Sequence, residues 1–198
     1  GTRSTTDSLQ NLAARQGTAL AEVSSRPVKD WIFPVLNTSQ NWYAEMLLKQ
    51  LGRQFGGAGS WKAGLEVERR FLIDSMKVDS TQFALRDGSG LSSSNLISPK
   101  AFATLLTWMR AHPRFESFAA GLPQSGQRGS LKSRFVGTPL EGKVRAKTGS
   151  ISRVNTLAGY IELPGRTLTF AVEANNHTLG SRVMIPQIDS LVVQMGRK

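Results

Sequence analysis

Residues 143–175, KVRAKTGSISRVNTLAGYIELPGRTLTFAVEAN, decide the fold. Polar and apolar residues alternate through KVRAKTGS, NTLAGYIEL and RTLTFAVEAN, the period that turns every second side chain to one face of a strand. Pro164-Gly165 supplies a turn between the last two segments, so antiparallel strands are expected. The first strand contains Lys147-Thr148-Gly149. A glycine there removes a side chain from the strand face and lets another backbone or a ligand come close. A lysine ammonium and a threonine hydroxyl beside that gap suit an anionic or carboxylate-bearing ligand. Ser150 adds a hydroxyl and a backbone N–H that can point into the same space. Three common residues in a row also recur by chance, so their surroundings must decide what they mean.

Upstream the period changes from two to that of a helix. After Pro34, Tyr43, Met46, Leu47 and Leu51 fall at i, i+3, i+4 and i+8 with Gly52 as the stop, which predicts a helix with one buried face. Thr38, Ser39 and Asn41 then lie at or near its start. Ser60 reads as the N-cap of a second helix, and Ser98-Pro99 as the cap and first turn of a third. In that third helix Phe102, Leu105, Leu106 and Met109 form a packing face. HPRFESFAAGLP gives a further short helix, and Ile188, Leu191, Val192 and Met195 mark an amphipathic helix at the end. Residues 12–23 read as a short strand or extended lead-in. Helices in the middle, strands late and a closing helix predict an α/β chain of the α+β type, in which helices cover an antiparallel sheet.

Composition narrows the function classes. The chain has 198 residues, 39% apolar and 20% charged, which is ordinary globular material with room for a substantial core. Its 25 basic and 14 acidic residues give a net charge of +11, favouring anionic partners. The basic residues are scattered and no nucleic-acid motif accompanies them, so no nucleic acid is expected as a partner. No apolar run approaches the length of a transmembrane segment. There is no cysteine, and His112 and His177 are far apart, a poor basis for a zinc site; nothing in the sequence implies a metal or an organic cofactor.

On its own, Ser39 or Thr38 reads as a helix cap and Asn41 as a solvated neighbour. A serine hydroxyl can also relay a proton, and an asparagine amide both donates and accepts, which suits holding a substrate amide. Ser-x-Asn followed by Lys-Thr-Gly, here 108 positions from Ser39 to Lys147, forms the second and third parts of the triple Ser-x-x-Lys, Ser-Asp-Asn, Lys-Thr-Gly of penicillin-binding proteins and class A β-lactamases. With DGSGLSSSNLISP and LPQSGQRGSL between them and AKTGSISRVNTLAGYI after, the whole chain resembles the C-terminal part of the D-alanyl-D-alanine carboxypeptidases of the penicillin-binding protein 4 (DacB) type, the class C low-molecular-mass penicillin-binding proteins of serine peptidase family S13.

The resemblance implies a serine β-lactamase/DD-peptidase-like transpeptidase fold, incomplete in this chain. It also implies a periplasmic, extracytoplasmic enzyme whose partners are peptidoglycan stem peptides and β-lactams. Ser39 would pass a proton to or from the leaving amine, and Asn41 would hold the acyl side of the substrate. Lys147 would lend positive charge, while Thr148 and Ser150 would bind a carboxylate beside Gly149. The Ser150 backbone N–H would serve as an oxyanion donor, and Leu91 would line a wall for the peptide stem. No serine here is followed three positions later by lysine, so the nucleophile and its base are expected upstream, in an N-terminal portion of the same protein with its inserted domains. Two other readings follow from that gap. One is a non-catalytic module binding cell wall or an anionic polymer; the other makes Ser39 itself the nucleophile, with Lys147 as its base.

Overall fold

The computed structural model describes residues 24–197, so the extended lead-in expected over 12–23 lies outside the described residues. Three helices come first: α1 Val28–Asn37, α2 Asn41–Phe55 and α3 Trp61–Arg70, the last running on through a wide turn at Phe71–Ser75. Two short strands, β1 Phe83–Ala84 and β2 Leu96–Ile97, close a loop. Helices α4 Pro99–Ala111 and α5 Phe115–Gly121 lead to the sheet, and α6 Ser181–Met195 ends the chain.

The sheet is the meander expected from the alternating pattern: β3 Val144–Ile151, β4 Val154–Leu163 and β5 Arg166–Asn175, antiparallel in the order β3-β4-β5. Its faces separate by parity. Val144 and Ala146, with Leu157, Ile161 and Phe170 across from them, pack against Ile188 and Val192 of α6. On the opposite face Tyr160 packs with Leu106 of α4 and Leu122, and its hydroxyl donates to the Leu106 carbonyl at 2.8 Å. Helix α6 is further tied down by Asp189, whose two carboxylate oxygens each accept from Arg134 Nε at 3.1 Å.

The caps are where the residues place them. Ser60 Oγ accepts from the Ala63 N–H at 3.2 Å, and Ser98 Oγ accepts from the Ala101 N–H at 3.1 Å, with Pro99 opening α4. Three local readings change. Pro34, which reads as the point after which helix begins, lies inside α1. Its carbonyl accepts from both the Thr38 and Gln40 N–H groups, so the helix ends one turn later. Gly52, which reads as a stop, lies within α2. A β-carbon there would stand 2.6 Å from Gly64 N, so this glycine sets the close approach of α2 to α3. The buried face of α2 consequently rotates to Leu48, Lys49 and Gly52, leaving Leu51 exposed. Lys49 fits because its ammonium sits 3.5 Å over the Trp61 ring.

Candidate active site

Ser39 occupies the break between α1 and α2. Its φ is 57°, in the left-handed region that non-glycine residues seldom adopt. That backbone turn lets the flanking Thr38 and Gln40 N–H groups converge on the Pro34 carbonyl, at 3.3 and 3.2 Å. The expected capping role does not occur. Gln40 is the N-cap of α2 and makes no side-chain cap bond, while the Thr38 hydroxyl donates back to the Pro34 carbonyl. The Ser39 hydroxyl instead accepts a 2.8 Å hydrogen bond from Lys147 Nζ across 108 positions of sequence. Asn41, exposed, is the first residue of α2.

Lys147 reaches Ser39 from the edge of the sheet. Residues 143 and 162 exchange a bond, Glu162 N–H to Lys143 C=O at 2.8 Å, so in this antiparallel ladder the odd positions of β3 bond to β4 and the even ones face outward. The outward groups of the first half are occupied. The Val144 carbonyl accepts from Ser125 N–H at 3.0 Å, and Ala146 N–H donates to the Pro123 carbonyl at 3.1 Å. Among the described residues that strap stops there, which leaves the backbone groups of Thr148 and Ser150 on an open edge. The Thr148 carbonyl takes a second bond from Lys147 Nζ at 2.8 Å. Burial disfavours the charged form of Lys147 and lowers its pKa below the ordinary 10.5. A lysine with a weakened hold on its proton, bonded to a serine hydroxyl, is suited to proton exchange with that hydroxyl.

The other positions sort around this pair. The Thr148 hydroxyl donates to Ser130 Oγ at 2.8 Å, and the Ser150 hydroxyl accepts from Asn155 Nδ2 at 2.9 Å. Gly149 leaves space, but a neighbouring strand fills it: a β-carbon at Gly149 would stand 2.4 Å from Thr156 Oγ1. Leu91 is 58% exposed on a separate loop. Asp87 orders that loop by accepting from the Gly90 and Ser92 N–H groups, each at 2.7 Å, and from Asn95 Nδ2 at 2.9 Å. Glu45 of α2 then anchors it, accepting from Gly88 and Ser89 N–H at 3.2 and 3.0 Å and from Trp61 Nε1 at 2.7 Å. The loop that carries Leu91 therefore hangs on the helix that Asn41 begins. Ser130, Asn155, Glu45 and Asp87 were not singled out by sequence; LPQSGQRGSL and DGSGLSSSN mark their loops but not which side chains turn inward.

A family profile, the D-Ala-D-Ala carboxypeptidase 3 (S13) family, matches residues 1–195. The chain belongs to the S13 family. Among curated relatives of this S13 chain, a D-alanyl-D-alanine carboxypeptidase from Actinomadura sp. (strain R39) is 37% identical over 164 residues, 80% of this chain and 30% of that protein. Penicillin-binding protein 4 (dacB) of Haemophilus influenzae, solved in complex with a β-lactam, superposes with a TM-score of 0.77. It shares 22% identity and covers 95% of this chain and 49% of its own. A penicillin G-acylated predatory endopeptidase of Bdellovibrio bacteriovorus superposes at 0.67 with 21% identity, over 87% of this chain and 46% of that one. Both superpositions show that this chain shares the fold of penicillin-binding protein 4 and of that endopeptidase. The S13 chain spans 30% to 41% of the length of the first three curated relatives it matches.

Proposed function

We propose that this chain is the C-terminal portion of a serine-type D-Ala-D-Ala carboxypeptidase that acts on peptidoglycan stem peptides outside the cytoplasm and is acylated by penicillin. The observation that carries the reading is the Lys147–Ser39 hydrogen bond, which joins the Ser-x-Asn and Lys-Thr-Gly segments into one site on an open strand edge. Chemistry assigns the roles. An upstream Ser-x-x-Lys serine attacks the penultimate carbonyl, and the resulting oxyanion is met by the Ser150 N–H on the free edge of β3. Ser39, bonded to Lys147, hands a proton to the departing D-alanine amine. The terminal carboxylate lies against Lys147, Thr148 and Ser150, while Asn41 holds the acyl-side amide and Leu91 forms a wall.

The test uses the full gene product that carries this chain, treated with a labelled penicillin and digested for mass spectrometry. The acylated peptide should lie upstream of residue 1, at a serine followed three positions later by lysine. Lys147→Ala should slow acylation on the order of a hundredfold, the usual consequence of removing one group that orients and stabilises a transition state. Unchanged acylation in that variant sinks the assignment of Lys147. A label on Ser39 would instead make this chain carry its own nucleophile.

A further inference from the structure

The Thr148 hydroxyl does not face a ligand alone, because its partner is the Ser130 hydroxyl, 2.8 Å away on a loop with no assigned role. Ser130 sits in a single tight turn, Gly129–Leu131, fixed on both sides. Leu131 is fully buried in the core between the sheet and α6. Gly129 has φ +63°, and a β-carbon there would stand 2.8 Å from the Asn37 carbonyl, two residues before Ser39. The turn is therefore wedged between the core and the end of α1, and Ser130 itself is exposed. It lies where the strap along β3 ends and the open edge begins.

Proton counting shows what this pair does. Each hydroxyl carries one proton and two lone pairs. While Thr148 donates to Ser130, its own outward face holds only lone pairs, which repel a carboxylate. The available proton is then on Ser130, and with the bond reversed it is on Thr148, so the bonded pair offers one donor either way. Alternatively the inner bond opens and each hydroxyl donates to one oxygen of the same carboxylate. Thr148 alone offers one donor to a carboxylate, and Ser130 adds the second when the inner bond opens, so that each carboxylate oxygen is met by a hydroxyl. Resting on the carboxypeptidase reading above, we propose that Ser130 is a carboxylate-binding residue, forming with Thr148 a two-hydroxyl clamp for the terminal carboxylate of the substrate or of a β-lactam.

The test compares acylation of the full gene product by benzylpenicillin and by its methyl ester, which lacks the carboxylate. Ser130→Ala should slow acylation by benzylpenicillin about tenfold, what one hydrogen bond to a charged group is worth, and leave the methyl ester rate unchanged. Ser130→Thr, which keeps the hydroxyl, should restore the preference for the free acid. Ser130→Ala and Thr148→Ala together should lose less than the product of their separate losses, because the two act as a unit. Equal slowing toward both compounds, or no slowing at all, overturns the clamp while leaving the enzyme reading intact. A wild-type protein acylated by neither compound overturns the enzyme reading and the clamp with it.

Discussion

Gly149 shows how one missing side chain holds the site together. Its β-carbon would approach Thr156 Oγ1 at 2.4 Å, whereas the Thr156 Cβ stands at 3.7 Å, an ordinary contact distance. The conflict is therefore with a single oxygen. Gly149→Ala should lower the stability of the full protein by about 1–3 kcal/mol through overpacking and disturb the neighbouring Lys147 and Thr148. Adding Thr156→Ala removes that oxygen and should recover most of the melting temperature. A double variant as unstable as Gly149→Ala would show that backbone, not the hydroxyl, demands glycine. At this scale the sequence is informative where two motifs meet: Ser-x-Asn and Lys-Thr-Gly make the approach of Lys147 to Ser39 legible. Ser130 is not, because its place beside Thr148 depends on the path of a loop through a left-handed glycine. From its neighbours alone Ser39 reads as a cap. The left-handed turn and the distant lysine overrode it, and neither is a property of the residues next to it.

Among the elements, the loop over residues 87–95 is bound to α2 by the Glu45 carboxylate and sets Asp87 against Glu68 of α3, so stability here should depend on pH. Glu68 of α3 has a buried carboxylate oxygen without a hydrogen-bond partner among the described residues, and burial, then the negative charge of Asp87, push its pKa up from 4.5 to about 7. The folded state thus holds a proton that the unfolded chain releases between those values. Stability from this group is full below the unfolded value and is lost as pH rises through the folded one. The melting temperature of the full protein should fall between about pH 5 and pH 8, and Glu68→Gln, neutral throughout, should flatten that fall. An unchanged slope in the variant would place the titrating group elsewhere. The strands were legible because a period of two admits few other structures. Helix α1 was hidden by Pro34, which signals a break but is accommodated inside a helix whose following turn converges on its carbonyl. Gly52 misled for a related reason: the approach of another helix looks, in sequence, like a stop.

For the molecule as a whole, the decisive fact is how much apolar surface the described residues leave uncovered. Trp42 is 69% exposed, Phe55 65% and Val28 59% on the first two helices, while Val183 and Leu191 of α6 are 49% and 43% exposed. Scattered apolar residues are normal on a surface, but aromatic and aliphatic groups along several helices need a partner. Among the described residues the sheet also has only three strands, and the outer edge of β5 is unpaired. Because the S13 relatives are more than twice as long as the matched portion, we expect the rest of the same protein to cover these surfaces. Residues 1–198 produced alone should bind a hydrophobic dye and sediment as a mixture. Co-expression with the upstream portion of the gene should give one complex with a cooperative melt and penicillin acylation. A monodisperse monomer of residues 1–198 that melts cooperatively without the dye would mean that this portion closes its own core, and that the upstream part brings only the nucleophile.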